Sequence, residues 1–112
     1  MNYINEHLDL IKSIMKLIAN HFGNNCEVTL HDWSKGYDQS IVAIENGHIT
    51  GRTVGDCGSN LGLEVMRGTI KDGDRFNYVT QTKNGSTIRS SSIYFRNSDG
   101  DAIGALCINL DI

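Results

Sequence analysis

The sequence predicts an α+β domain: an amphipathic N-terminal helix, then a five-stranded antiparallel sheet with a helical segment crossing between its second and third strands. Three observations predict it. Apolar residues recur at helical spacing as far as Phe22, and from Glu27 onward they alternate. The pairs Asn46-Gly47, Asn84-Gly85 and Asp99-Gly100 fall between strand-like runs, where tight turns belong. A length of 112 residues with 39% hydrophobic content suits one compact domain, assigned to residues 1–112 with the helix at 4–22 and the core at 25–112.

The helix is expected from Ile4, Leu8, Ile11, Met15, Ile18 and Phe22, spaced by fours and threes, with Leu10, Ile14 and Leu17 widening the stripe. Gly23-Asn24 supplies its stop. Steps of four and three are also those of a helix pair, so homodimerisation through this helix is an expectation beside packing on its own sheet. In the first strand, 27–32, Val28 and Leu30 take one face and Glu27, Thr29 and His31 the other. A second short strand, 41–44, is closed by Asn46-Gly47, read as a hairpin turn. Glycines 51, 55 and 58 interrupt the next stretch. Asn60 then caps a short helix with Leu61, Leu63, Val65, Met66 and Ile70 as apolar positions. Strands over 76–82, 87–96 and 102–110 complete the order. The last carries apolar residues on both faces, which predicts a central place in the sheet.

Composition narrows the function. The formal charge is -3 and the ten basic residues are scattered, which argues against direct nucleic-acid binding by this segment. No apolar run approaches the about 18 residues of a membrane span, so no membrane partner is expected and the chain reads as cytoplasmic. Cys26, Cys57 and Cys107 form no Cys-x-x-Cys pair, so no metal site is expected. No Gly-Lys-Ser/Thr follows the glycines, and no cofactor is expected.

The candidate chemistry is polar groups on a sheet. His31 beside Asp32 is either a ligand-orienting group or a structural one, with Asp32 capping the turn before Trp33 and His31 bonding to a neighbouring strand. Arg52 can clamp a carboxylate bidentately or stand as a solvated charge. Ser90, Ser91 and Ser92 occupy mid-strand positions, so at least one hydroxyl points inward and needs a partner. Asn109 adds an inward amide and Tyr78 a phenol; the bland alternative is that these groups satisfy one another. His48 reaches a pocket mouth or belongs only to its turn. A thiol-based redox sensor or small enzyme would use Cys57, in its glycine-rich loop before a helix, whereas Cys107 reads as buried and inert.

Several strings in order carry a family resemblance: Leu30-His31-Asp32, SIVAIENGHITGR from Ser40 to Arg52, Leu61-Gly62-Leu63-Glu64, Asn77-Tyr78, Ser90-Ser91-Ser92, and GALCIN from Gly104 to Asn109. Together they resemble the YheO-like PAS domain, the sensory half of certain bacterial helix-turn-helix transcriptional regulators. Asp56-Cys57-Gly58 departs from that pattern, which has a proline-containing turn there. The resemblance implies a PAS-like sheet and a sensor whose output is transcription. Its DNA-binding domain is not within these residues, so the chain is expected to be an excised or a stand-alone sensor. PAS domains as a class can hold haem or flavin, for which the sequence offers no particular evidence. The resulting expectation is a non-enzymatic module, without catalytic residues, binding a small polar molecule through His31, Arg52, Tyr78, Ser90, Ser92 and Asn109. The alternative is a ligand-free dimerisation module.

Overall fold

The computed structural model describes residues 3–35, 40–49, 51, 74–81 and 85–112. Two helices, α1 (Tyr3–Glu6) and α2 (Leu8–Phe22), precede five strands: β1 (Cys26–Asp32), β2 (Ile41–Glu45), β3 (Arg75–Gln81), β4 (Thr87–Arg96) and β5 (Ala102–Asp111). The strands form one antiparallel sheet in the order β2-β1-β5-β4-β3. The expected α+β class and five-stranded sheet are therefore present, with the final strand in the middle of the sheet. The crossing helix expected at 60–70 lies outside the described residues. Among the described residues no helix is long and apolar enough to cross a membrane.

The single helix expected over 4–22 is broken at His7, whose φ of -109° and ψ of 17° leave the helical region. The hydrogen bonds barely register the break, since His7 N–H donates to Tyr3 O and Ile11 N–H to His7 O. Gly23 ends α2 at φ 96° and donates its N–H to Ala19 O, a role that suits glycine in the left-handed half of conformational space. One side of α1 and α2 buries Ile4, Ile11, Met15 and Ala19 against Cys26, Val28 and Leu30 of β1 and Ala43 of β2. Full burial of a side chain such as Leu30 or Met15 stabilises by about 1.5–3 kcal/mol, so this layer holds the helix on the sheet.

Two turns differ in kind. Asn97 caps the β4–β5 turn, its side-chain oxygen accepting from Asp99 N–H and Asp101 N–H, and Gly100 takes φ 84°. At Asn46-Gly47 the expected hairpin is replaced by a strand end. Asn46 takes φ 56° and the chain passes into a 3-10 turn over Gly47–Ile49. The Asn46 amide donates to Gly23 O at 3.2 Å and Cys26 O at 2.8 Å, so its side chain fixes the end of β2 to the α2–β1 corner. His48, expected at a turn, bonds the Asn24 carbonyl from the exposed surface.

Where β1 meets β5 the backbones and α1 crowd together. A methyl group on Gly104 would run into the carbonyl oxygen of His31 and Cδ1 of Ile4. Gly104→Ala is therefore expected to destabilise the fold by about 1–3 kcal/mol through overpacking. Urea unfolding checks this, and an unchanged midpoint would remove the close approach from the account.

Candidate functional site

All seven residues of β1 are buried, although the strand alternates apolar and polar side chains. The polar set, Glu27, Thr29 and His31, lies on the sheet face away from α2. Pairing extends it across the sheet in three rows. Glu27 lines up with Asn109, Ser90 and Tyr78, Thr29 with Cys107 and Ser92, and His31 with Ala105 and Tyr94.

The rows are joined by hydrogen bonds. Asn109 Nδ2 donates to Glu27 Oε1 at 2.7 Å, and Ser90 Oγ donates to Asn109 Oδ1 at 2.7 Å. One carboxamide thus bridges three adjacent strands. Tyr78 and Ser92 share a hydrogen bond of 2.7 Å between their hydroxyls. His31 bonds Ser40 Oγ through Nδ1 at 2.8 Å and Thr29 Oγ1 through Nε2 at 3.3 Å. Each hydroxyl can donate or accept, so the two bonds hold with either ring tautomer. Beside this polar set stand Trp33 and Ala105, with Tyr94, Ala102 and Cys107 packed on them and the Trp33 and Tyr94 rings 5.9 Å apart. Aromatic and apolar surface next to a few fixed polar groups is the usual lining of a small-molecule site.

Of the residues singled out in the sequence, the structure brings Ser90 and Asn109 into direct contact, pairs Tyr78 with Ser92, and puts His31 on the same face. Arg52 and Cys57 lie outside the described residues. Asp32 caps the following turn by accepting from Ser34 N–H, as the structural alternative for that pair has it, while His31 bonds Ser40, one residue before β2, rather than a strand residue. The sequence reading passed over Glu27, which is wholly buried. Its signal was available, since Glu27 shares a face with Thr29 and His31, but alternation alone gives that face to solvent. Among the described residues no group of three or more His, Cys, Asp or Glu is placed to hold a metal ion. Clefts of about 260 Å³ and 330 Å³ lie apart from this face, between α2 and the β2 region.

The model of the YheO-like PAS domain family matches residues 2–112, nearly the whole chain. The chain belongs to the YheO-like PAS family. An uncharacterized protein of Haemophilus influenzae is 31% identical over 109 residues, covering 97% of this chain and 47% of that protein. YheO of Escherichia coli K12 is 30% identical over 109 residues, covering 93% of this chain and 45% of its own. This YheO-like PAS domain therefore spans about half the length of both relatives. Among solved structures, an RNA-binding light-oxygen-voltage receptor matches 93% of this chain and 33% of its own at a TM-score of 0.50 and 18% identity. A light-oxygen-voltage domain studied with a flavin analogue matches 89% of this chain and 84% of its own, at 0.50 and 19%. At these identities the likeness establishes the PAS fold.

Two outcomes follow from the site. The Asn109 bridge is expected to carry stability, with Asn109→Ala costing about 1–3 kcal/mol because Glu27 and Ser90 both lose a partner. A double-mutant cycle with Ser90→Ala isolates the pair, and strictly additive losses would mean the bond contributes nothing. Burial pushes the Cys26 thiol above its ordinary value of 9.0, and the adjacent Glu27 charge adds to the shift. The folded thiol holds its proton longer than the unfolded one, so its contribution to stability is intact below pH 9.0 and lost as pH rises through the folded value. Cys26 is accordingly expected to resist alkylation at neutral pH until the protein unfolds, as mass mapping of the labelled thiols would reveal.

Proposed function

We propose that this chain is the non-enzymatic sensory domain of a longer transcriptional regulator, binding a small polar molecule over the sheet face opposite α2. The observation that carries the reading is the buried polar array Glu27–Asn109–Ser90, Tyr78–Ser92 and Thr29–His31–Ser40 beside the Trp33 and Tyr94 rings. A sheet used only for packing gains nothing from so many buried hydroxyls and amides, each of which costs free energy unless it is paired. A ligand with both donors and acceptors would exchange its own hydrogen bonds for some of these, with Arg52 as a further contact. Binding shifts the balance of conformations or the geometry of a dimer, and a helix-turn-helix domain elsewhere in the longer protein reads that shift. The length of the relatives, about twice that covered here, leaves room for such a domain.

One observation favours a second reading. Ser90, Asn109 and Glu27 already satisfy one another, as do Tyr78 and Ser92. A ligand-free dimerisation module would look the same on this face.

Native mass spectrometry of the purified protein, compared with the same sample denatured, separates the two. The sensor reading expects a small retained mass that leaves on unfolding, and weaker retention in Asn109→Ala. A protein with no retained mass, whose thermal midpoint no polar metabolite pool raises, would establish the ligand-free module instead.

A further inference from the structure

Strand β2 and helix α2 enclose a groove that the candidate site does not use. Its first part, about 260 Å³, is lined by Lys12, Met15 and Lys16 of α2 and by the four residues from Val42 to Glu45. The second part, about 330 Å³, shares Lys16 and Glu45 and runs on to Asn24 and Asn46. Both elements are followed in the same order, so helix and strand lie side by side in one direction. Successive strand residues point to opposite faces of a sheet. A cleft that touches four of them in a row therefore lies along the edge of the strand, where the backbone is, and not over one face. β2 ends the sheet order, and among the described residues no strand pairs with its outer side. An edge of this kind turns unpaired N–H and C=O groups outward.

The helical wall supplies charge. Lys12 and Lys16 are exposed and one turn apart on α2, about 6 Å along its axis. Among the described residues neither ammonium has an ion pair or a hydrogen bond, with Glu45 or with any other group. Met15 lines the groove beside them and gives it an apolar, adaptable surface. In an extended chain the side chains of residues i and i+2 point the same way, about 6.4–6.8 Å apart. Two carboxylates so placed match the two ammonium groups, and Glu45 at the far end selects against a third.

We propose that this groove takes an extended segment of a partner protein as a further strand on β2, with acidic side chains at alternate positions facing Lys12 and Lys16. In strand addition the backbone bonds give affinity whatever the sequence, and the side-chain contacts give specificity. Here the two lysines choose an acidic segment. The same lysines have an opposite use, guarding an open edge against pairing, and the two uses differ in outcome. The inference does not rest on the ligand proposed for the other face of the sheet, and its failure would leave that reading standing.

Fluorescence anisotropy of a labelled, end-capped hexapeptide alternating valine and glutamate tests the surface. Saturable binding to the chain is expected, weakening as salt is raised, and the same peptide with lysine in place of glutamate is expected not to bind. Lys12→Glu/Lys16→Glu is expected to weaken binding at least about 10-fold, with circular dichroism to confirm that these exposed substitutions leave the fold intact. Lys12→Gln/Lys16→Gln, which removes charge without reversing it, is expected to fall between the two. Amide hydrogen exchange separates edge pairing from charge attraction alone: exchange at residues 41–45 is expected to slow when the peptide binds. A chain that does not bind the glutamate peptide overturns the proposal and makes the lysines guards of the edge. Equal binding by the lysine-reversed variant, or binding that leaves exchange in β2 unchanged, also overturns it. Slow exchange in β2 without peptide, lost on dilution, would give the edge to a second copy of the chain and overturn it too.

Discussion

Strand β1 has no solvent face, and the rest of the domain is arranged around that constraint. A strand buried on both sides is ordinarily apolar on both, yet this one alternates. Cys26, Val28 and Leu30 meet the helix layer through ordinary hydrophobic packing. Glu27, Thr29 and His31 have no such recourse, because a buried polar group left unpaired costs about 1–3 kcal/mol. Their neighbours are therefore polar too: Asn109 on β5, Ser90 beyond it on β4, and Ser40 just ahead of β2. Gly104 belongs to the same constraint, since the close fit of β1, β5 and α1 leaves no room for a side chain there.

Much of this fold is legible in the sequence because its signals are local. The β4 strand is bounded by turn residues and runs over 87–96 as its alternation indicates, and the apolar character of 102–110 on both faces gives β5 its central place. The shortfalls have one physical origin, in that periodicity says which residues share a face and not what covers it. Alternation puts Glu27 on one face with Thr29 and His31 but does not tell that this face is buried. The stripe of α2 was read as one wide surface, although the fold buries one half and exposes the other. At Asn46-Gly47, hairpin chemistry and strand-end chemistry are identical in sequence, and only tertiary partners decided between them. The break at His7 has no proline or glycine to announce it. Residue type and position single out Ser90, Ser92, Tyr78, Asn109 and His31 as polar groups on one face, while the bonds joining them depend on strand register.

The pairing within the array also bears on how strongly such a face can grip anything. Any ligand at such a face would have to replace hydrogen bonds that already exist, so its net gain would be the difference between two satisfied networks. Differences of that kind are small, and a small difference is enough to move an equilibrium between conformations of similar energy.

Strand β2 is only five residues long, and it is fastened at both ends by side chains. Ser40, immediately before it, holds the imidazole of His31, and Asn46, immediately after it, grips the carbonyls at the close of α2 and the opening of β1. The edge strand is therefore held at each end by a different part of the fold. One short extended segment thus ties the imidazole on the polar face to the carbonyls where α2 ends and β1 begins.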